Sequence, residues 1–385
     1  MSSSAGESAP AARAPSESGG PGGGGRRFKP VYLLAAFIPA AVTLELLHAS
    51  APIIFAAAAL GVIPTAALMG KATEELAAKS GPGIGGLLNV TFGNAPELII
   101  AFFALLEGLQ EVVKASIVGS IIGNILLVLG ASMVVGGARR DKQSFDRTAA
   151  NAQSAMLLLA VVALALPALL QLVDGGGLPA VGEERVDFGS DLERLSFGVA
   201  IVLIASYVLG LLFSLKTHRK LFDPYEAEEH EGGWSVRKSL GLLALAGALV
   251  GLMSEILVGS ISETAGEIGL SEFFIGVFIV AIVGNAAEHW VAVLVAAKDK
   301  MDLAVNIAIG SSAQIALFVA PVLVLLSFLV GPNPLALVFN GYEIAAMLFA
   351  VLIANFLTQE GETNWFEGVQ LLALYAVLGL VFFFA

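Results

Sequence analysis

The 385-residue chain contains no cysteine and few charges for its length. Without cysteine it can form neither disulfides nor thiolate metal sites. Charged residues make up 14% of the sequence, whereas an ordinary soluble domain carries about 25%. The formal net charge of −12 argues against nucleic acid as a partner. What is present is strongly apolar, because 57% of the residues are hydrophobic and the mean hydropathy is +0.86.

Apolar runs of 18 residues or more recur from Val31 to the C-terminus. Each is long enough to cross a hydrocarbon core of about 30 Å as a helix, and none shows the strict alternation of barrel strands. We therefore predict an all-α polytopic membrane protein, with the lipid bilayer as its surroundings. About eleven spans are predicted, near 31–48, 51–70, 84–106, 112–136, 149–171, 195–215, 238–260, 272–297, 303–330, 337–357 and 364–385.

Residues 1–29 differ from the rest, because they are mostly Ser, Gly, Ala and Pro. A segment with so little to bury is predicted to be a disordered tail. It has no apolar region at its start, so we do not predict a cleavable signal peptide.

The basic residues predict an orientation, because lysine and arginine accumulate in cytoplasmic loops. With a cytoplasmic N-terminus and alternating sides, seventeen of the twenty basic residues fall inside and none falls in a span interior. The outside segments hold only Lys114, Arg185 and Arg194. The C-terminus is then outside. The loop near 358–364 is predicted to be inside although it carries no basic residue.

Two short motifs repeat inside predicted spans, "TFGNAPE" at 91–97 and "IVGNAAE" at 282–288. A shift of 191 residues places the first on the second, and it also places Gly119-Ser120 on Gly310-Ser311. We predict an internal duplication, 51–215 and 238–385, with five spans in each half. An odd number of spans gives the halves opposite orientations, as in many secondary transporters. Residues 30–50 form an extra first helix.

The predicted cytoplasmic linker between the halves, residues 216–237, is acidic. It contains Asp223, Glu226, Glu228, Glu229 and Glu231. These carboxylates could bind a cation weakly and regulate the protein. The alternative, which we favour, is a solvated linker, because charge runs usually are.

Each motif carries an asparagine and a glutamate three residues apart, Asn94 with Glu97 and Asn285 with Glu288. That spacing puts both side chains on one helix face, and an ionisable residue inside a span is a functional hypothesis by default. With no basic side chain in a span interior, the carboxylates must hold a proton or a bound cation. Carboxylate and amide oxygens suit Ca²⁺, whereas transition metals prefer His or Cys.

Pro96 distinguishes the first motif from the second, which has Ala287 at the equivalent place. Proline cannot donate to the carbonyl of Phe92, and its ring disturbs that turn. The Phe92 carbonyl is therefore a further candidate ligand, and the two halves are not identical.

Other polar residues follow the motifs on the next spans: Ser116, Ser120 and Asn124 in the first half, and Asn306, Ser311, Ser312 and Gln314 in the second. Packing of small residues between helices explains the serines, but it explains Asn124 and Gln314 poorly. Whether those two line the pathway stays open. His289 is interpreted as a packing or hydrogen-bonding residue, with a proton relay as the alternative. Glu255 belongs either to an outer entrance for the cation or to plain interfacial solvation.

The stretches "GNAPELI", "GNAAEH", "GSIIGN" and "GSSAQIAL" resemble the calcium/proton exchanger (CAX) family of the cation/Ca²⁺ antiporter superfamily. The resemblance covers the chain from about residue 31 onward. It implies that Glu97 and Glu288 bind Ca²⁺ and exchange it for protons. It also implies that Asn94, Asn285, Ser120 and Gln314 line the pathway. The sodium/calcium exchanger branch typically has Ser or Thr where the two asparagines stand, which favours proton coupling here.

The expected function is a secondary antiporter that exchanges Ca²⁺ for H⁺ by alternating access in a prokaryotic cell membrane. No cofactor is expected, and the absence of a nucleophile or an HExxH motif argues against an enzyme. The alternatives are a Na⁺(K⁺)/H⁺ or Na⁺/Ca²⁺ antiporter, and a cation channel with an acidic ring. The sequence leaves a homo-oligomer open.

Overall fold

The computed structural model describes residues 30–182, 191–217 and 233–385, and these are almost entirely α-helical. The tail at 1–29 and the linker acids at 223–231 lie outside the described residues. A 3₁₀ segment, Pro30–Ala36, precedes the first helix. The helices are α1 (Phe37–Leu46), α2 (Ala51–Ala77), α3 (Gly81–Gly93), α4 (Ala95–Leu106), α5 (Gln110–Gly137), α6 (Arg147–Val173), α7 (Asp191–Leu212), α8 (Val236–Gly259), α9 (Ile261–Ile268), α10 (Glu272–Ala297), α11 (Met301–Ser327), α12 (Gly341–Thr358) and α13 (Trp365–Phe384).

Nine helices in the described ranges are long and apolar enough to cross a membrane, which confirms a multi-pass membrane protein. A tenth crossing would be the bent pair formed by Ile84–Gly93 and Ala95–Leu106. The apolar helix Val31–Leu46 is shorter than the others. The predicted count of eleven is therefore not confirmed, although every predicted span coincides with one of these helices.

Several helices begin where a side chain satisfies free backbone N–H groups. The carboxylate of Asp146 accepts the backbone N–H of Ala149 at the start of α6 (2.9 Å). Asn340 and Glu343 form a capping box at the start of α12, each accepting the other's backbone N–H.

The helices differ in burial, with α5 and α11 at the centre of the molecule and α7 and α13 at its periphery. The apolar core of α5 is 83% buried and that of α11 is 67% buried, whereas the values for α7 and α13 are 22%. Both central helices contain a π-helical turn, at Gly123–Val128 in α5 and at Ile315–Val319 in α11. These turns occupy equivalent places under the 191-residue shift, and turns of this kind are frequent at functional sites.

One end of the molecule gathers loops that were predicted to be inside. Strand β1 (Gln143–Ser144) pairs antiparallel with β2 (Glu362–Thr363), and Lys142 forms an ion pair with Glu362 at 2.6 Å. The Glu362 carboxylate raises the pKa of the Lys142 ammonium. Arg140 also pairs with Asp299 at 3.0 Å. The loop at 358–364, which lacks its own basic residue, thus lies beside the basic loop that precedes α6.

The opposite end gathers loops that were predicted to be outside. The amide of Gln110 donates to the carbonyl of Asn333 at 2.9 Å. Lys114 lies in the first part of α5, where it is 5% exposed. It pairs with Glu111 at 2.6 Å and donates to the carbonyl of Val338 at 3.0 Å. Lys114, which the sequence analysis placed in an outside segment, is therefore buried in the first turns of α5, and its charge is tolerated because Glu111 neutralises it.

Candidate cation-binding site

The first motif lies at a break between two helices. Asn94 has non-helical torsions (φ −95°, ψ 17°) and separates α3 from α4, whose membrane-crossing parts meet at a bend of 44°. Pro96 stands in the first turn of α4, where its missing N–H costs nothing. The Phe92 carbonyl accepts a backbone N–H at the break, so it is not left without a hydrogen bond.

The second motif lies inside an uninterrupted helix. Asn285 and Glu288 are part of α10, which continues to Ala297. With Ala287 in place of a proline, every N–H of this turn can join the helical ladder. The difference expected from Pro96 and Ala287 is therefore present, because only the first motif lies at a helix break.

The two motifs approach each other through their glycines. A Cβ added at Gly93 would lie 3.4 Å from Oε1 of Glu288. A Cβ added at Gly284 would lie 3.2 Å from Cγ of Glu97. Each half thus presents a bare stretch of backbone to the glutamate of the other half. Among the described residues, no lysine or arginine forms an ion pair with either glutamate.

The motif asparagines are fully buried and are each held by a residue of the opposite half. The Nδ2 of Asn94 donates to Oε1 of Gln314. The Nδ2 of Asn285 donates to Oγ of Ser120 at 2.9 Å and to the carbonyl of Ala281 at 2.9 Å. The Oδ1 atoms of both asparagines are buried and have no hydrogen-bond partner. Because their amide nitrogens are engaged, these oxygens are available as ligands.

The glutamates differ in their surroundings. The hydroxyl of Ser311 donates to Oε2 of Glu288 at 2.6 Å, which orients that carboxylate. Oε2 of Glu97 is buried without a partner. A small cavity beside Glu97, about 10 Å³, is lined by Ser116 and Ser120 together with apolar residues. This volume is comparable to one water-sized site.

The remaining predicted residues divide into two groups. Asn124 and His289 form a hydrogen bond at 3.1 Å across the two halves, and the roles predicted for these two residues stay predictions. Glu255 is exposed on α8 and takes part in none of the hydrogen bonds of the site. Within the described ranges, no group of three or more His, Asp or Glu side chains could hold a metal ion, so any site here depends on the amides as well.

The sequence analysis missed Gln153 on α6. Its Nε2 donates to Oδ1 of Asn306 at 2.9 Å, and its own Oε1 is buried without a partner. The sequence feature that could have identified Gln153 is an uncharged amide near the start of an apolar helix. This amide has no counterpart at the equivalent position in the second half.

The sequence pattern of one protein family matches this chain twice. The family described as "Sodium/calcium exchanger protein" matches residues 50–216 and 238–384. The chain belongs to this family. The two matched segments coincide closely with the two halves predicted from the motifs.

The relatives that this chain resembles within the family include Ca²⁺/H⁺ antiporters. The chain is 45% identical over 366 residues to a Ca²⁺/H⁺ antiporter of Aphanothece halophytica, covering 91% of this chain and 95% of that protein. It is 44% identical over 355 residues to the Ca²⁺/H⁺ antiporter ChaA of Bacillus subtilis, covering 91% and 97%. The solved structure of native YfkE superposes with a TM-score of 0.77 at 41% identity, covering 92% of this chain and 100% of that one. The resemblance to calcium/proton exchangers is confirmed.

Proposed function

We propose that the protein is a Ca²⁺/H⁺ antiporter that uses one glutamate from each half as a shared Ca²⁺ and proton site. The observation that carries the proposal is the mutual approach of Glu97 and Glu288 against the opposite motif glycines, with no cationic side chain paired to either. Relatives that are named Ca²⁺/H⁺ antiporters support the choice of ions. They are transporters, which also argues against an enzyme.

The oxygen set suits Ca²⁺ in charge and in number. Two carboxylates neutralise its two charges, and with the free Oδ1 atoms of Asn94 and Asn285 they offer about six oxygens, the lower end of what Ca²⁺ takes. The hydrogen bonds that Asn94 donates to Gln314 and Asn285 donates to Ser120 would fix the amide oxygens toward the ion. Calcium is here the substrate, and no resident cofactor is proposed.

Proton coupling follows from the same carboxylates. Two buried carboxylates that face each other without a cation repel, so at least one holds a proton. Bound Ca²⁺ favours both ionised forms and would expel that proton. Neither an empty, doubly charged site nor a doubly loaded one would cross readily, and this restriction makes the protein an exchanger and not a leak.

We further propose that the halves are inverted repeats, 51–215 and 238–385, with residues 30–50 as an extra helix. Support comes from the double family match and from the equivalent π-helical turns of α5 and α11. The contacts at the two ends also group the loops as an alternating chain requires. We propose that the end with the β1–β2 pair is cytoplasmic, with the N-terminus on that side and the C-terminus outside.

Alternating access is supported by a difference between equivalent helix contacts. Gly119 of α5 packs so closely on α10 that an added Cβ would lie 2.0 Å from the Val277 carbonyl. Gly276 lies against Ala115 in the same way. At the equivalent Gly310 of α11, the nearest atoms belong to Asn306 and Gln153 and not to α3. The outer halves of these helices are therefore in contact, whereas the inner counterparts are apart.

Transport in everted membrane vesicles tests the proposal. Vesicles from cells that express the full chain should accumulate Ca²⁺ when their interior is acidic, and a protonophore should abolish the uptake. Uptake that needs no proton gradient would indicate a channel. Uptake that follows a Na⁺ gradient and ignores the proton gradient would indicate Na⁺/Ca²⁺ exchange. Either result would overturn the proposed proton coupling.

A further inference from the structure

A polar groove lies between α6 and α12, away from the proposed cation site. Its volume is about 720 Å³, which falls in the range of small-molecule sites. The groove is lined by Arg147, Thr148, Asn151, Ala152, Ala155, Asn355 and Gln359. It lies at the end of the molecule that carries the β1–β2 pair, because Arg147 begins α6 directly after that loop.

The side chain of Arg147 is held in place by packing, but its guanidinium has no ion-pair partner within the described residues. Its stem packs on Gly361, whose backbone is left-handed (φ +72°), and an added Cβ there would lie 3.0 Å from Cβ of Arg147. Within the described ranges, Arg147 forms no ion pair. Asp146, the preceding residue, caps α6 and lines a separate cavity with Asp302, and Glu360 is not among the residues that line the groove. The groove therefore offers one unpaired positive charge.

The other polar groups of the groove can act as hydrogen-bond donors beside that charge. Asn151, Asn355 and Gln359 carry amides, and none of these side chains has a hydrogen-bond partner within the described residues. A guanidinium flanked by amides matches the oxygens of a phosphate. Because no carboxylate lines the groove, it does not favour a cation.

The groove continues into an apolar surface. Leu159 lies one helical turn beyond Ala155 on α6 and is 71% exposed. On α12, Phe356 lies next to Asn355 and Leu352 lies about one turn before Phe356, and these side chains are 69% and 40% exposed. At 27 residues, α6 is longer than the hydrocarbon core requires, so its first turns lie at the level of the lipid headgroups. A phosphate held by Arg147 would thus have acyl chains directly below it.

We propose that this groove binds the phosphate of an anionic glycerophospholipid, with an acyl chain along the exposed faces of α6 and α12. Arg147 contacts the phosphate, and Asn151, Asn355 and Gln359 contact its ester and glycerol oxygens. Basic pockets between membrane helices on the cytoplasmic side are a recurrent setting for such headgroups. The proposal does not depend on which ion is transported.

Lipid retention by the purified full-length protein tests the proposal. Phosphatidylglycerol or phosphatidylcholine is titrated into delipidated protein in detergent, and bound lipid is counted by native mass spectrometry. Phosphatidylglycerol should be retained more strongly. Arg147→Gln, which keeps the stem that packs on Gly361, should weaken its retention by about fivefold. Arg139→Gln is the matched control, because it removes the same charge from the same basic loop and should leave retention unchanged.

Three results would overturn the proposal. Equal losses in Arg147→Gln and Arg139→Gln would mean a general charge effect. Equal retention of the two lipids would mean that the groove does not select an anionic headgroup. Displacement of phosphatidylglycerol by millimolar inorganic phosphate would mean a free-anion site. If Arg147→Gln fails to fold, Asn355→Leu serves as the second variant, and unchanged retention in it would have the same force.

Discussion

Single residues explain why the site is built from amides as well as acids. The amide nitrogens of Asn94 and Asn285 each donate a hydrogen bond to the opposite half, and their Oδ1 atoms have no hydrogen-bond partner. A buried polar atom without a partner costs stability unless something satisfies it. In the proposed site these oxygens would be satisfied when Ca²⁺ binds beside the two carboxylates.

At this scale we expect Glu97→Gln and Glu288→Gln each to abolish Ca²⁺ uptake in vesicles while the protein still folds. Glutamine keeps the size of the side chain but can neither ionise nor exchange a proton. Asn94→Ala should reduce uptake less, because an amide oxygen brings no net charge. Glu255→Gln, on the exposed face of α8, is the matched control and should retain uptake. Near-normal uptake by either motif variant would remove that glutamate from the mechanism.

At the scale of helices, α5 packs tightly on α10 at the outer end, whereas the equivalent inner helices are apart. The contact of Gly119 with the Val277 carbonyl leaves no room for any side chain. Glycine is therefore required in α5 for a close backbone approach, even though it weakens a helix in general. Lys114, which pairs with Glu111, also links the start of α5 to the loop before α12 through the Val338 carbonyl.

We expect Gly119→Ala to destabilise the protein by about 1–3 kcal/mol through overpacking and to slow transport by pushing α5 from α10. Gly123→Ala is the control, because a Cβ there meets nothing within 4 Å. Thermal unfolding in detergent and vesicle uptake measure the two effects. Equal stability and activity in both variants would show that the outer contact does not restrict the helices.

The loops of the molecule form two groups at opposite ends, and this grouping predicts which loops are cytoplasmic and which are outside. Because the chain has no cysteine, single cysteines can be introduced without removing native ones. In intact cells, a membrane-impermeant thiol reagent should label Glu267→Cys, after α8, and should not label Glu360→Cys, before α13. Both positions are exposed, so accessibility of the side chain itself is matched. The reverse labelling would place the β1–β2 end outside the cell.

Exchange is also a property of the whole molecule, and calorimetry can detect it without a membrane. In the proposed mechanism protons and Ca²⁺ compete for Glu97 and Glu288, so the apparent Ca²⁺ affinity should fall as the pH falls. Adding Ca²⁺ to the purified protein should release protons, and the measured heat should therefore vary with the ionisation enthalpy of the buffer. A heat that is independent of the buffer at transport-competent pH would exclude direct competition at these carboxylates.

The sequence by itself determined the class of the molecule and its two chemical motifs. Long apolar runs require helices in a bilayer, because every backbone polar group must be satisfied internally. The 191-residue offset identified Glu97 with Glu288 and Asn94 with Asn285. These conclusions need only local spacing, since side chains three residues apart on a helix face the same way wherever that helix lies.

The tertiary structure alone decided which side chains meet between the halves. No spacing rule predicts that Ser120 holds Asn285 or that Gln314 holds Asn94, because helices far apart in sequence must first cross. The burial of Lys114 also depends on packing. These contacts are set by packing between helices that are far apart in sequence. A polar residue in an apolar run indicates only that it needs a partner, not which residue that partner is.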